Sequence, residues 1–586
     1  MRVSSFAPAA ALASAIAVSA PHTAHAETPV IVEGVSDEMR EAISAALPPR
    51  DPPTTLFEAE RVSEEAATRA MVWLRSEGYY AATVTPQANE RPASARLLVT
   101  LGERFRFAAP AITYLDAAPE SESGDAVRRA ISGVQEGEPA IAARVLDAEA
   151  AAVAALQNAG YADAEAGERR VIVDHATAAA SVEFVLRAGA RARLGDLRAE
   201  PADAFRARFV DRLQNWEEGD PYTPENLRRL RRDMSATGAA SRVATRLGPP
   251  NESGVRDVIL DVEPARRNAY EAGVSYSTTE GVGVQGEWTR RNITGRADAL
   301  TVAATIAEQQ QSLSAQLRRP HAAGLGQAMV FGATLDREEI DAYTRQGASL
   351  FASVEATPRL RLAKTYGVTM SYDQFDDLSG NVTEALVLSG FGSIRHDTTT
   401  FTLDPRDGAI SEARIEPAIS TGDVSVGFVR FVGEARGYES FGREDSLTLA
   451  ARIRAGWIET VSGDADDVPP DRRFYAGGGG SVRGYGYNSL YPEERDALGL
   501  SPGGQGLLEG SLEARWRFSN RWGAAAFADA GTAFDDIGDA GDLSWGVGVG
   551  VRYDLGFAPL RVDIAVPLDD RGGDDYALYI SLGQAF

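Results

Sequence analysis

Near the end of the chain, apolar and charged residues alternate one by one. Leu508, Gly510, Leu512, Ala514, Trp516 and Phe518 interleave with Glu509, Ser511, Glu513, Arg515 and Arg517. The same period of two sets Trp545, Val547, Val549, Val551 and Tyr553 against Gly546, Gly548, Gly550 and Arg552. It sets Val562, Ile564 and Val566 against Arg561, Asp563 and Ala565. In the last stretch, Tyr576 to Phe586, it puts Tyr576, Leu578, Ile580, Leu582 and Phe586 on one face and Ala577, Tyr579, Ser581, Gly583 and Ala585 on the other. Side chains along a strand point to opposite faces in turn, so four strands are predicted, each with one apolar and one polar face. Two architectures obey that rule. In a soluble β-sandwich the apolar face is core. In a membrane barrel it faces lipid, and the sheet closes on itself because hydrocarbon offers its backbone groups no partner.

Connection lengths favour the barrel. Ser519 to Arg521 is tight, Gly531 to Asp542 longer, Asp554 to Phe557 tight and Leu568 to Asp575 longer, the rhythm of short turns on one side of a membrane and long loops on the other. Helical patterns stop at about Arg266. The 321 residues from there to Phe586 allow about sixteen strands at roughly 20 residues per strand and connection. At the other end, Met1-Arg2 precedes an apolar run from Phe6 to Ala20 and the small-residue site Ala24-His25-Ala26, which reads as a secretory signal peptide over 1–26. No later stretch is apolar enough for a helical span, so insertion is expected to use strands.

Between these ends, helices and short strands alternate, and a weak repeat emerges. Gly78-Tyr79, Gly160-Tyr161 and Thr237-Gly238 each close a helical run, while Gly137-Glu138-Pro139 and Gly219-Asp220-Pro221 each precede a helix. Each unit reads strand, helix, helix, strand, strand. In the second these are Phe105 to Leu115, Asp125 to Gly133, Ala143 to Asn158, Tyr161 to Ala166 and Ser181 to Leu186. The order resembles polypeptide-transport-associated (POTRA) domains. It implies a multidomain chain with three α+β POTRA repeats, over 27–103, 104–190 and 191–264, followed by an antiparallel transmembrane barrel over 265–586.

Composition narrows the chemistry. The chain has 586 residues, 57 glycines, no cysteine and a formal charge of −25, so disulfide staples and thiol catalysis are excluded and nucleic acid is a poor partner. His175, His321 and His396 have no metal-ligand spacing and are expected at isolated surface or lumen positions. Gly281, Gly283 and Gly286 form a Gly-x-Gly-x-x-Gly string, but Glu287-Trp288-Thr289 continues it as strand with no helix to receive a phosphate, so a first hairpin is expected. Neither enzymatic activity nor a cofactor is expected.

The strands Ser446 to Trp457 and Leu507 to Phe518 flank a long, patterned connection, and such loops are usually functional. The connection and its entry strand together hold Gly456-Trp457-Ile458-Glu459-Thr460, Val468-Pro469-Pro470-Asp471, Arg473-Phe474-Tyr475-Ala476-Gly477-Gly478 and Ser481-Val482-Arg483-Gly484-Tyr485. These runs resemble the family of outer-membrane subunits of the translocation and assembly module, TamA, among the assembly proteins of BamA/TamA type. The resemblance implies that the Val482-Arg483-Gly484-Tyr485 loop folds back into the barrel and that Arg483 pairs with lumen acids, here Glu513 and Asp529. Parity agrees independently, since Glu513 lies on the charged face and Asp529 opposite Ala524, Ala526 and Ala528. The resemblance also implies a weak lateral seam between the first and last barrel strands, marked by Val274, Tyr276, Ile580, Leu582 and Phe586, which templates client strands. Its implied partners are a TamB-like inner-membrane-anchored periplasmic protein, unfolded outer-membrane protein or autotransporter clients, and outer-membrane lipid. The implied location is the outer membrane with the N-terminal domains in the periplasm. Two alternatives remain open: a polypeptide secretion pore of the two-partner type, and a passive diffusion channel.

Overall fold

A computed structural model describes residues 29–582 apart from 341, 360, 377–381, 402, 424, 443–444, 493–502, 557, 570 and 572–574. The expected signal peptide, 1–26, and the expected seam residue Phe586 lie outside the described residues. Two compact units divide the chain: one reaches Arg193 and includes Gly219–Pro224 and Glu252–Val255, and the other holds the rest.

The first unit contains two α/β sheets. In the first, Ala93–Thr100 is central, parallel to Val30–Glu33 and antiparallel to Thr83–Glu90. Helices Asp37–Ala45 and Leu56–Ser76 pack on it, with Ile43, Ala70 and Leu74 fully buried against Leu97 and Val99. Thr55 caps the longer helix by accepting the Glu58 N–H. In the second sheet Ala179–Arg187 is central. The expected single strand Phe105 to Leu115 is instead two short ones, Arg106–Phe107 and Ala111–Tyr114, with Pro110, which has no N–H to donate, between them. The helix expected from Asp125 starts earlier and spans Ser121–Ala130. Of Tyr161 to Ala166 only Glu165–Ala166 is strand, and Arg170–Asp174 adds a strand that the sequence reading missed.

The helix-closing glycines have a common cause. Gly78 and Gly160 adopt φ of +91° and +99°, and the following tyrosines donate backwards, Tyr79 to Leu74 and Tyr161 to Leu156, capping the last carbonyls. The Gly-acid-Pro signal marks a second shared device: Arg106 donates to the Gly137 carbonyl at 2.6 Å and Arg193 to that of Gly219 at 2.8 Å.

The second unit holds all but the end residues Arg193 and Val255 of a third α/β sheet, ordered Ala240–Leu247, Val255–Pro264, Arg193–Glu200, and a closed barrel of sixteen antiparallel strands from Asn268–Ser277 to Ala577–Leu582. Burial decides between sandwich and barrel. Leu512 is 65 % and Val549 63 % exposed, while Glu513 and Asp529 are 2 % and 0 % exposed. Charges inside and large apolar side chains outside invert a soluble core and suit lipid contact. Several expected bounds shift: the strand expected to end at Trp457 runs on to Ser462, the connection after the thirteenth strand, Trp522–Phe534, begins beyond Gly531, and the last strand begins at Ala577 rather than Tyr576. Gly281–Arg291 is the second strand, as the hairpin reading of the glycine string expects.

His321 departs from the expected isolated surface or lumen position. It is buried near the end of the fourth strand, Gln310–Gly324, its Nε2 lies 3.2 Å from the Asp233 carbonyl, and its Nδ1 accepts the Gly326 N–H at 2.9 Å. Arg212 donates to its carbonyl at 3.1 Å. His321 thus fastens the third α/β sheet's helices to the barrel. His175 packs edge-on against Phe105 with ring centres 5.2 Å apart. Among the described residues no group of His, Asp and Glu is arranged to hold a metal.

Candidate functional site: a loop held inside the barrel next to a short seam

The eleventh strand runs Leu447–Ser462 and the twelfth Gly506–Arg517, and the chain between them returns into the lumen. Apolar residues drive the return. Phe474, Ala476, Val482, Tyr485 and Leu490 are buried in one cluster with Val426, Phe428, Ile458 and Leu507 of the wall. At 25–30 cal/mol per Å² of apolar area withdrawn from water, such side chains each contribute about 1.5–3 kcal/mol.

Arg483 stands at the centre and is 1 % exposed. Its Nε donates to Asp529 Oδ2 at 2.6 Å and its Nη2 to Oδ1 at 2.9 Å, a two-point grip, and its backbone N–H reaches Oδ2 at 3.2 Å. Nη1 donates to Glu513 Oε2 at 2.8 Å and reaches Asp563 Oδ2 at 3.5 Å. The guanidinium also lies over the Phe527 ring, 3.4 Å from its centre. These acids come from the twelfth, thirteenth and fifteenth strands, whose polar faces all point inward. Glu513 and Asp563 are also held by Arg515, Arg552 and Arg561, so the charges form a network. Charge-assisted bonds of this geometry are roughly twice as strong as neutral ones.

Neighbouring glycines make the approach possible. Gly484 has φ of +105°, and an added Cβ there would come within 2.9 Å of the Pro567 nitrogen. Gly546 faces the Arg483 carbonyl so closely that a Cβ would collide with its oxygen. Tyr485 is buried and donates to the Trp545 carbonyl at 2.9 Å, while Tyr487 lies 3.5 Å from Glu338. Both tyrosines pack on the wall.

The structure therefore brings Val482, Arg483, Gly484 and Tyr485 together with Glu513 and Asp529. Asp563 and Phe527 complete the site and went unassigned in the sequence, although Asp563 shares the inward parity of Arg561 and Ala565.

The seam residues lie nearby. The first strand, Asn268–Ser277, pairs with the last through Tyr276↔Ile580 and Ser277↔Tyr579 among the described residues, whereas its pairing with the second strand runs unbroken from Asn268↔Arg290 to Ser277↔Gly281. Val274 and Leu582, both facing outward, lie beyond that short pairing. Tyr579 turns inward, and its hydroxyl accepts the Gly484 N–H at 3.0 Å.

Comparison with known proteins adds a family. The Omp85 superfamily domain matches residues 292–586. The outer membrane protein assembly factor BamA of Nitratidesulfovibrio vulgaris is 25% identical over 451 residues, 73% of this chain and 55% of that protein, so the chain spans about half the length of this curated relative. BamA from Haemophilus ducreyi lacking POTRA domains 1-3 superposes with a TM-score of 0.66 at 15% identity, covering 82% of this chain and 100% of that one. CdiB from Acinetobacter baumannii gives a TM-score of 0.47 at 13% identity over 82% and 90% of the two chains. With that domain matched over half its length, the chain belongs to the Omp85 superfamily.

Proposed function

We propose that this protein is an outer-membrane assembly factor of the TamA type, which inserts client β-barrel proteins by lending them the edge of its own first strand. One observation carries the reading: among the described residues the closing ladder holds two residue pairs, Tyr276↔Ile580 and Ser277↔Tyr579, extended by the Thr278 N–H donating to the Leu578 carbonyl, against ten pairs between the first and second strands. A strand edge with unpaired N–H and C=O groups is a template for another strand, and exposing it inside a bilayer is costly until a client strand covers it. The client's own folding into lipid drives the step, so neither nucleotide nor metal is called for. The three small α/β sheets act as POTRA domains over 27–103, 104–190 and 191–264, placed in the periplasm, where they hold client strands or a TamB-like partner anchored in the inner membrane. The packed loop around Arg483 fills lumen that a polypeptide pore or diffusion channel would need open.

The chain has no native cysteine, so the test is clean. Tyr276→Cys with Ile580→Cys places two thiols on directly opposed residues of the seam. Oxidised cells are expected to stop assembling client barrels and to recover on reduction. Normal assembly with the seam covalently shut would overturn the reading.

A further inference from the structure

The lock loop touches both sides of the seam. On the last-strand side its Arg483 is gripped by the twelfth, thirteenth and fifteenth strands, and its Gly484 N–H donates to Tyr579 of the sixteenth. On the first-strand side, the Gly479 N–H donates at 2.6 Å to Oε1 of Glu280, which sits in the turn between the first and second strands. Glu280 is itself held by its backbone N–H donating to Ser277 Oγ at 2.8 Å. Gly479 lies between the two: an added Cβ would come within 3.1 Å of the Tyr579 ring and 3.2 Å of Glu280 Oε1. Tyr579 is 3 % exposed and stands opposite Ser277 in the seam itself.

We infer that Glu280 and Tyr579 are positioning residues that turn the lock loop into a strap across the seam, so that the first hairpin cannot part from the last strand until the Gly479–Glu280 bond has let go. The inference rests on the lateral-seam reading above and adds what regulates it. Two consequences are specific. The loop is bolted to the last-strand side by a buried charge network, so the Gly479–Glu280 bond, the one hydrogen bond from the loop to the first hairpin among the described residues, is the one that breaks first. That bond uses an ionised acceptor, so an amide in its place keeps the geometry and loses strength.

Spin labels at Val274→Cys and Leu582→Cys, both outward-facing on the two seam strands, report the seam width by pulsed dipolar spectroscopy in the full chain in lipid. The parent is expected to give one short distance. Glu280→Ala is expected to raise the long-distance population about tenfold, the scale of one hydrogen bond to a charged group, with Glu280→Gln in between and Tyr579→Phe raising it as well. Arg521→Ala, in the turn between the twelfth and thirteenth strands, should leave the distribution unchanged. Heat-modifiable mobility on gels verifies that each variant is a folded barrel, and Glu280→Gln keeps the test alive where the alanine variant fails to fold. A Glu280→Ala or Glu280→Gln distribution that matches the parent overturns the strap. The readout is seam width alone. An unchanged width with clients still blocked by the Tyr276–Ile580 cross-link would sink the strap and spare the templating reading. A widened seam with clients indifferent to that cross-link would do the reverse.

Discussion

Replacing Arg483 by alanine strips the site of its central cation, and the cost falls unevenly on its three acids. Glu513 keeps Arg515 at 2.8 Å and Arg552 at 3.3 Å, and Asp563 keeps Arg552 and Arg561. Asp529, fully buried, has no other cation within ion-pair distance among the described residues. Stranding one partner of a buried pair costs about 3–5 kcal/mol, which shifts the equilibrium between docked and released loop by roughly a hundredfold or more. Hydrogen exchange read by mass spectrometry on peptides covering 474–487 measures this directly, because the Arg483 and Gly484 amides are buried donors to Asp529 and Tyr579. Exchange there should accelerate by at least about a hundredfold in Arg483→Ala while the barrel strands stay protected. Arg483→Lys should fall between, since an ammonium keeps the charge but cannot grip a carboxylate at two points. Adding Asp529→Ala to Arg483→Ala should recover part of the protection by removing the stranded charge. Parent-like exchange in Arg483→Ala would show that apolar packing alone holds the loop and that the charge network is incidental.

Other outcomes follow from single contacts. Gly546→Ala drives a methyl group into the Arg483 carbonyl, so the same loop amides should lose protection although no charge has changed. His321→Ala removes the ring contact to the Asp233 carbonyl that fastens the third sheet's helix to the barrel, and with it the bond from Gly326 inside the barrel turn, about 1–3 kcal/mol in all, and limited proteolysis should cut faster around Asp233 with the barrel left intact. Asp116 accepts the Ala188 and Gly189 N–H groups, Ala188 foremost, which holds its carboxyl below the usual carboxylate range. A depressed folded value means its contribution is present above the unfolded value, about 3.9, and is lost as pH falls through the folded one. Asp116→Asn should therefore lower the melting temperature of the N-terminal unit at pH 7, and the gap to the parent should close below about pH 4, as calorimetry on the full chain will show.

What could be read before any coordinates divides along physical lines. The barrel was legible because lipid outside and charge inside impose a period of two on every strand, and residues such as Leu512 and Glu513 announce their faces. Arg483, Glu513 and Asp529 stood out because glycine-rich flanks and inward parity are both properties of local sequence. Asp563 was one parity step away and went unassigned, since nothing in a single strand tells how far around the barrel a loop arginine will reach. Glu280 and Tyr579 were invisible for the same reason: the Gly479–Glu280 bond joins residues 199 positions apart, and only closure of the sheet makes them neighbours. His321 failed differently. A lone histidine in a strand carries no sign that a helix from a preceding module will dock on it. The broken strand around Pro110 was readable from proline's missing donor, but the apolar run through Phe107 and Ile112 masked it.

The whole account depends on the joint between first and last strands being the weakest pairing in the wall. Hydrogen exchange on the full chain in lipid compares it with the rest in one experiment. Amides of Leu578 and Ile580, which alternate toward the first strand, should exchange orders of magnitude faster than those of the twelfth and thirteenth strands, which pair continuously from Gly506↔Phe534 to Arg517↔Gly523. Equal protection at both places would contradict it.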